Sequence, residues 1–412
     1  MNNKEFLEDL QLRGILKDIS DQDKFLNLEK GKKIYIGFDP TASSLHLGNY
    51  IAINLLQRLK QFDIPVIAVV GGATGMIGDP SFASKERVLL SNQTLLENKA
   101  KIIAQLQKFN LDVFDNLEIY KDMNIIEFLR DIGKNINIAY LLAKDSIATR
   151  IQSGLSFTEF SYQLIQGWDF KYLYENFNVV AQAGGSDQWG NMVTGLDLIK
   201  KTVANHKQDA FVMTVNLLTD ENGVKFGKTF GGSPIWLDAN MYSPYNLYQF
   251  LFNQSDAQAE KIIKWLSFQP LSKINELIVT HNENKKARIL QKELAHEIVA
   301  NIHGKSGLKS ALEISDILFG KTSYQEISYE NKQELKKVLP LLSSANFSAA
   351  SLIEQKVFNS KRELNEFIAQ GALEINGQKI AHIEMISANL KDENNLFLIK
   401  KGKKNFFIFE QK

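Results

Sequence analysis

Short apolar runs alternate with amphipathic stretches over the first half of the chain. The amphipathic stretches repeat their apolar positions every three to four residues, as in 48–62 and 186–201, which predicts helices. The apolar runs have the length and the residue types of strands. They are KIYIGF (33–38), PVIAVV (65–70), NLEIY (116–120), NVVAQAGG (178–185) and AFVMTVNLL (210–218). Strands separated by helices predict an α/β fold with a largely parallel sheet.

The pattern changes near residue 240. From Ser243 to about residue 317 the apolar positions keep a helical period, and Ser243-Pro244 suits a helix start. A helix at 360–371 and several short apolar runs follow towards the C-terminus. We therefore predict an α/β domain, then an all-helical domain, a linker and a small α+β domain. Their expected bounds are 1–232, 233–320, 321–349 and 350–412.

Composition excludes several classes of protein. The chain has 412 residues, of which 44% are hydrophobic and 23% charged, as in globular proteins. Its apolar runs are too short to cross a membrane, and its amphipathic, acidic N-terminus does not resemble a signal peptide, so a cytoplasmic location is expected. Cysteine is absent, which removes disulfides and thiolate chemistry. The six histidines lack paired ligand spacing, so we expect no structural metal.

Positive charge is concentrated at the C-terminal end. The formal net charge of the whole chain is only +1. The last thirteen residues, in contrast, set one acid, Glu410, against five lysines: Lys400, Lys401, Lys403, Lys404 and Lys412. A basic end on a nearly neutral body favours a polyanionic partner, and a solvated lysine-rich tail is the alternative.

Two loops at strand ends have the residue types that bind phosphate. Ligands of open α/β sheets lie beyond the carboxyl ends of the strands. The loop after 33–38 contains Thr41 and His46, which can donate hydrogen bonds to phosphate, and Gly48 at a predicted helix start. The loop 219–234 is glycine-rich and contains two lysines, but Asn222 occupies a position where a P-loop requires glycine. A structural loop and a solvated turn are the alternatives.

A polar stripe marks the predicted helix at 157–175. Tyr162, Gln166 and Asp169 are spaced to lie on one helical face. Polar groups on a face that packs inwards are costly unless a ligand or partner meets them, so a small polar ligand is one explanation. The water-facing side of a surface helix is the other. The segment 184–191 follows a strand and would direct Asp187 and Gln188 into the same crevice, or use Asp187 only as a helix cap.

These motifs together resemble the class I aminoacyl-tRNA synthetases and, within them, the bacterial tyrosine-specific family. Residues 46–49 (HLGN) resemble the HIGH signature and residues 225–229 (KFGKT) the KMSKS signature. Further matches to the tyrosine-specific members lie at 35–41, 71–81, 157–162 and 184–191. The C-terminal segments 360–371, 375–377 and 400–406 are similar to a small RNA-binding fold first known from a small-subunit ribosomal protein.

The resemblance implies an activity and partners. A tyrosine–tRNA ligase activates tyrosine with ATP and then transfers it to tRNA, with Mg²⁺ arriving on the nucleotide. The implied architecture is a Rossmann-like catalytic domain, a helical anticodon-recognition domain and an RNA-binding domain. Relatives are homodimers joined through an insertion near residues 120–155. A tryptophan-specific synthetase, a small-molecule nucleotidyltransferase and a non-enzymatic RNA-binding protein are the alternatives.

The resemblance also implies residue roles. The catalytic residues would be Thr41, His46, Arg87, Lys225, Lys228 and Thr229. Tyrosine would be bound by Tyr35, Asp79, Tyr162, Gln166, Asp169 and Gln188. ATP would be bound by Gly37, Asp39, His46, Gly48, Asn49, Gly185, Asp187 and Lys228. RNA would be bound by Lys361, Arg362, Lys400, Lys401, Lys403 and Lys404. The two phosphate loops must then converge on one triphosphate.

Two positions depart from the family pattern. Asn49 replaces the second histidine of HIGH, although its amide can still donate to a ribose. Phe82-Ala83 stands where relatives commonly have Gly-Lys, which leaves Lys85 and Arg87 as the cations of that segment.

Overall fold

The computed structural model describes most of the chain. The described residues are 2–80, 90–142, 154–204, 209–219, 221, 223, 226–227, 232–320, 322–388, 395–403 and 405–412. They form two compact units, one of residues 1–238 and 254–294 and the other of 239–253 and 295–412. The domain bounds expected from the sequence stay predictions.

A six-stranded sheet organises the first unit. Its strands are β1 (Leu16–Ile19), β2 (Lys33–Phe38), β3 (Val66–Val70), β4 (Val113–Asp115), β5 (Val179–Gly185) and β6 (Phe211–Val215). Their spatial order is β1-β6-β5-β2-β3-β4. All neighbouring pairs are parallel except β1 with β6. The carboxyl ends of β2 to β6 therefore lie at one edge of the sheet, as predicted.

Helices connect these strands. They are α1 (Asn3–Leu12), α2 (Gln22–Leu26), α3 (Leu47–Gln61), α4 (Asn92–Lys108), α5 (Leu117–Tyr120), α6 (Ile125–Glu127), α7 (Ile138–Leu142), α8 (Phe157–Phe177) and α9 (Trp189–Thr202). The buried face of the sheet packs on α8 and α9 through Tyr35, Val69, Phe170 and Met192. Asn178 ends α8 in the left-handed region, with φ 58°, which turns the chain directly into β5. The long polar-striped helix is thus anchored against the sheet at its C-terminal end.

Four of the five predicted strands are confirmed and the prediction for residues 116–120 was wrong. That segment is the short helix α5, and the strand precedes it as β4. The carboxylate of Asp115 accepts a hydrogen bond from the Leu117 N–H at 3.0 Å, which turns the chain at the strand end. Asn116 consequently lies at the carboxyl edge of the sheet instead of within a strand.

From Pro244 to Phe319 the chain is mainly helical, as predicted for 243–317. The helices are α10 (Pro244–Phe252), α11 (Asp256–Leu266), α12 (Leu271–Glu283) and α13 (Ile289–Phe319), followed by α14 (Tyr329–Val338), α15 (Ala349–Glu354), α16 (Lys361–Ala369) and α17 (Met385–Ala388). Ser243 caps α10, and Pro244 occupies its first turn. No helix among the described residues is long and apolar enough to cross a membrane.

A five-stranded sheet forms the C-terminal part of the second unit. Its strands are β7 (Leu341–Ser344), β8 (Leu373–Ile375), β9 (Gln378–Lys379), β10 (Leu396–Lys401) and β11 (Asn405–Gln411), in the order β7-β11-β10-β8-β9. The segment 321–349, expected as a linker, contains α14 and β7, and β7 pairs in parallel with β11. A core of residues such as Leu352, Leu364 and Phe409 lies beneath this sheet.

Candidate active site

His46 begins helix α3 and closes a reciprocal cap with Asn49. Its Nδ1 accepts a hydrogen bond from the Asn49 N–H at 3.2 Å, and the Asn49 Oδ1 accepts from the His46 N–H at 3.0 Å. Because Nδ1 is an acceptor, the proton of the neutral ring is on Nε2, which becomes a donor. The cap also uses the Oδ1 of Asn49, so the Asn49 Nδ2 is the side-chain group that remains to donate to a ligand.

The second phosphate loop returns to the same turn. The Leu47 N–H donates to the Ile235 carbonyl at 2.7 Å, and the Ile235 N–H donates to the Gly227 carbonyl at 2.9 Å. Gly227 has φ +105°, and a Cβ placed there would lie 2.5 Å from the Gly48 nitrogen. The two loops therefore contact each other at Gly227, and their convergence on one triphosphate stays a prediction. Arg87, Lys225, Lys228 and Thr229 lie outside the described residues.

A cavity of about 320 Å³ opens beside the His46 turn, beyond the ends of β2, β3 and β5. Most of the predicted tyrosine and ATP contacts line it. They are Tyr35, Gly37, Asp39, Thr41, His46, Asn49, Asp79, Tyr162, Gln166, Asp169, Gly185 and Gln188. Gly48 and Asp187 do not line it: Gly48 packs behind the His46 ring, and Asp187 lies against Gly185. The cavity gathers residues from widely separated parts of the chain.

The polar stripe of α8 faces this cavity. Tyr162, Gln166 and Asp169 are only 6%, 9% and 3% exposed, which excludes the water-facing alternative. The amide oxygen of Gln166 is buried and has no hydrogen-bond partner within the described part of the chain. Burying such a group costs free energy that a ligand can recover.

Asp169 and Tyr35 are buried side chains that line the cavity. The Asp169 Oδ2 accepts a hydrogen bond from the Asn116 Nδ2 at 2.8 Å, and its Oδ1 lies 2.6 Å from the Tyr120 hydroxyl. Burial raises the pKa of the Asp169 carboxyl to about 7. The Tyr35 hydroxyl is buried and lacks a hydrogen-bond partner among the residues that the structure describes. Burial and the neighbouring Asp169 raise the pKa of Tyr35 well above its ordinary value, so this hydroxyl stays a donor.

Asp39, another lining residue, orients Tyr162. The Tyr162 hydroxyl donates to the Asp39 Oδ2 at 2.9 Å, and the Thr74 hydroxyl donates to the Asp39 Oδ1 at 2.7 Å. Gly71 permits this approach, because a Cβ there would lie 2.0 Å from the Asp39 Oδ1. Asp39 was predicted as an ATP contact, and in the structure it accepts a hydrogen bond from Tyr162 of the polar stripe.

Asp79 also lines the cavity. Its Oδ2 accepts from the Gln188 Nε2 at 2.7 Å, and its Oδ1 from the Asn191 Nδ2 at 3.4 Å. These bonds place a carboxylate where it faces the open cavity together with the Gln166 amide oxygen. Two acceptors converging on one space suit a cationic ammonium group.

Sequence reasoning missed Asn116, Tyr120, Thr74 and Gln182. The first two were hidden by the strand predicted at 116–120, whereas a strand ending at Asp115 would have placed Asn116 at the ligand edge of the sheet. Gln182 lies on β5, and its buried Oε1 has no partner in the described ranges. Its polar side chain within an otherwise apolar strand was a visible signal.

The side chains predicted to contact RNA differ in their exposure and in their ion pairs. Lys361 and Lys403 are exposed. Arg362 and Lys400 form ion pairs with Glu366 and Glu374. Lys401 is only 14% exposed along its side chain, donates to Glu363 at 2.5 Å and to the Val357 carbonyl at 2.8 Å, and stacks on Phe358 and Phe367. The geometry favours a structural role for Lys401. Lys404 lies outside the described residues.

Comparison with known proteins agrees with this geometry. The family model of class I tRNA synthetases (W and Y) matches residues 27–320, and that of the SYY-like C-terminal domain of tyrosine–tRNA ligases matches residues 341–409. The tyrosine–tRNA ligase of Mesomycoplasma hyopneumoniae (strain J) is 63% identical over 410 residues, covering 100% of this chain and 99% of that protein. The tyrosine–tRNA ligase of Mycoplasmopsis synoviae (strain 53) is 49% identical, covering 98% and 99%.

A solved structure shares the fold. It is a C-terminally truncated mitochondrial tyrosyl-tRNA synthetase from Aspergillus nidulans, with a TM-score of 0.69 and 30% identity, and the match covers 76% of this chain and 94% of that one. The fold and the family model thus define a class I aminoacyl-tRNA synthetase. Sequence identity to tyrosine–tRNA ligases extends along the full length of the chain. The chain therefore belongs to the tyrosine–tRNA ligase family.

Proposed function

We propose that this chain joins tyrosine to tRNA in the two steps of its family, and that the cavity beside His46 carries the first. The tyrosine carboxylate attacks the α-phosphate of ATP, giving tyrosyl-adenylate and pyrophosphate. The 3′-terminal ribose of tRNA then takes the tyrosyl group and releases AMP. The observation that carries the proposal is the buried Tyr35 hydroxyl, which has no hydrogen-bond partner among the described residues and lines the same cavity of about 320 Å³ as Asp169.

Tyr35 and Asp169 are proposed to recognise the phenol. The substrate hydroxyl would accept a hydrogen bond from Tyr35 and donate one to Asp169, which pairs both buried groups. Phenylalanine would leave the Tyr35 hydroxyl and the Asp169 carboxyl group unpaired, and the free-energy cost of these missing hydrogen bonds would reject it. Tyrosine-specific synthetases are themselves the standard example of this rule. An indole N–H could satisfy only an acceptor, which argues against tryptophan.

Asp79, Tyr162, Gln166 and Gln188 are proposed to hold the other end of tyrosine. The Asp79 carboxylate and the Gln166 amide oxygen would accept from the ammonium group, and Gln188 and Asp39 keep Asp79 and Tyr162 in place. Fixing both ends of the substrate directs its carboxylate towards the His46 turn. Positioning of this kind lowers the barrier without a general base, since a carboxylate is already a nucleophile.

The phosphate turns are proposed to stabilise the transition state. Nε2–H of His46 and the Thr41 hydroxyl would donate to the phosphates as negative charge moves onto pyrophosphate. Lys225, Lys228, Thr229 and Arg87 are proposed to add donors and positive charge. The nucleotide is proposed to be accommodated and bound by Gly37, Gly48, Asn49, Gly185 and Asp187. Gly48 and Asp187 do not line the cavity, so they would contribute through their neighbours His46 and Gly185.

Mg²⁺ is proposed to arrive with ATP. Among the described residues there is no group of three or more His, Asp or Glu side chains arranged to hold a metal ion. The triphosphate itself supplies oxygen ligands of the kind that Mg²⁺ prefers. We place the reaction in the cytoplasm, where tRNA is charged.

Two interaction surfaces complete the proposal. Lys361 and Lys403 are exposed cations near the C-terminal sheet and are proposed to contact tRNA phosphates. The segment expected to join a homodimer exposes contiguous apolar side chains, with Ile125 66% and Ile126 67% exposed. Exposed apolar clusters of this kind mark protein interfaces.

One assay tests the first step. Pyrophosphate exchange into ATP is measured with tyrosine, tryptophan, phenylalanine or no amino acid, and only tyrosine should support it. Lys228→Ala should slow exchange far more than it weakens tyrosine binding, because a residue that acts on the transition state changes kcat. Exchange driven by tryptophan, or an equal loss of binding and rate in Lys228→Ala, would contradict the proposal.

A further inference from the structure

The Tyr120 hydroxyl has one proton to donate but lies within hydrogen-bond distance of two oxygen atoms. It lies 2.6 Å from the Asp169 Oδ1 and 2.9 Å from the Ile165 carbonyl oxygen, both on helix α8. A hydroxyl can donate only once. If Asp169 is a carboxylate, both neighbours are acceptors and one short oxygen–oxygen contact holds no hydrogen. If Asp169 carries a proton on Oδ1, it donates to Tyr120, which donates to Ile165, and every contact is satisfied.

The other carboxyl oxygen tolerates either state. Asn116 is oriented by the Ala73 N–H, which donates to its Oδ1 at 2.7 Å, so its Nδ2 must point towards Asp169. The Asp169 Oδ2 accepts that bond as a carbonyl or a carboxylate oxygen. The protonation state is therefore decided at Oδ1, where Tyr120 lies.

No cation of the described cavity lining holds Asp169 in its charged form. The lining contains neither lysine nor arginine within the part of the chain that the structure describes. Burial raises the pKa of Asp169, and the nearby Asp39 carboxylate raises it further, whereas Tyr120 and Asn116 lower it, with the balance at about 7. The titratable groups that face Asp169 or share its cavity are Tyr35 on β2, Tyr120 on α5, Tyr162 on α8, Asp39, His46 and Asp79.

We propose that Asp169 carries a proton on Oδ1 in the tyrosine-free protein, where Tyr120 is the positioning residue that accepts its hydrogen bond, and that binding of tyrosine releases this proton to solvent. This inference rests on the proposed function. The substrate phenol brings a third donor to the carboxyl group, after Asn116 and Tyr120, and its ammonium brings a positive charge. Both favour the carboxylate. Tyr120 then donates to Asp169 instead of Ile165, and the proton that leaves Oδ1 goes to the buffer.

The sign of the pH dependence follows. A group with a pKa of about 7 in the free protein and a lower one in the complex makes binding release protons, so tyrosine affinity rises with pH. Between pH 6 and pH 8 the affinity should rise about tenfold. Close to pH 7 the release should be about half a proton per tyrosine bound.

Calorimetric titration of the full chain with tyrosine tests this. Titrations at pH 6, 7 and 8 in two buffers of different ionisation enthalpy give the number of protons released. Tyr120→Phe should move the midpoint of the pH dependence above that of the parent protein, because the charged form loses a donor. Tyr174→Phe is the matched control, since the Tyr174 hydroxyl donates to Asp209 at 2.6 Å outside the cavity lining. It should leave release and midpoint unchanged.

Asp169→Asn tests whether the released proton comes from Asp169. This variant should release no proton when tyrosine binds. Because this variant could bind tyrosine too weakly to titrate, infrared difference spectra of the parent protein supply a second measurement. A protonated carboxyl band should disappear when tyrosine is added, and the tyrosine-free Asp169→Asn protein should lack that band. Tyrosine binding without proton release, or release that persists in Asp169→Asn, would overturn the inference. No tyrosine binding at any pH would instead contradict the proposed function.

Discussion

Gly227 packs directly against Gly48, so that a Cβ on Gly227 would lie 2.5 Å from the Gly48 backbone nitrogen. This contact joins the loop that contains Lys225 and Lys228 to the turn that contains His46. Only glycine fits at position 227, for two reasons: its φ of +105° disfavours other residues, and the facing atoms are backbone that cannot rotate away. The approach of the two signature loops thus depends on a single missing side chain.

Gly227→Ala should therefore separate the loops and slow tyrosine-dependent pyrophosphate exchange by about 10²-fold, as expected for a misplacement near 1 Å. Tyrosine binding should change little, because the phenol end is built from other elements. Gly223→Ala is the matched control, since Gly223 also has a positive φ, +78°, but no atom of the residues that the structure describes lies within 4 Å of its Cβ position. Equal rate losses in the two variants would show that backbone strain, and not the contact with Gly48, is responsible.

Asp169→Asn should reduce the preference for tyrosine over phenylalanine by about 10- to 100-fold, the value of a charge-assisted hydrogen bond in a buried site. The ratio of kcat/KM values in the exchange assay measures it. Asp79→Asn is the comparison, because its proposed partner is the ammonium that both amino acids share. It should weaken both substrates and leave their ratio unchanged. A ratio that falls equally in both variants would place the phenol elsewhere.

Lys403 and Lys401 should behave differently although they are close in sequence. Lys403→Glu should lower the rate of tRNA charging, more strongly at low salt, and spare pyrophosphate exchange, since Lys403 is exposed. Lys17→Glu, which makes the same charge change at another exposed position, serves as the control.

Lys401→Met should instead lower the thermal midpoint of unfolding by roughly a few degrees, because it removes the donor to Glu363 and the Val357 carbonyl. Thermal unfolding followed by circular dichroism measures this change. Loss of charging in Lys401→Met with unchanged stability would make Lys401 a direct RNA contact.

The apolar segment at Ile125 and Ile126 should support self-association. Ile126→Asp should shift the sedimentation mass from dimer towards monomer at micromolar concentration, because a charge would be buried in an apolar interface. Leu12→Asp is a suitable control, since Leu12 is 72% exposed on α1, far along the chain from the expected interface. A monomeric parent protein, or dissociation by Leu12→Asp alone, would count against this surface.

The sequence determined the elements and most of the residues around the cavity. Hydrophobic periodicity is a local property, so the strands at 33–38, 66–70, 179–185 and 211–215, and the polar face of α8, were readable without coordinates. Parallel strands bring their carboxyl ends to one edge, which predicted that the loops after 33–38 and 178–185 would lie together. The place of Tyr35 in the site was implied only by the family resemblance.

Tertiary structure alone decided which side chains hold these groups. Tyr120 and Asn116 reach Asp169 across about fifty residues of sequence, and no local pattern encodes such a pairing because it depends on the order of the strands. The same holds for Lys401, whose ammonium is bonded to Glu363, while Lys403, two residues away, is exposed. The sequence specifies the type and charge of each residue. The hydrogen-bond partner of each buried polar group is set by tertiary packing, because the free-energy cost of leaving that group unpaired arises only once the chain has folded.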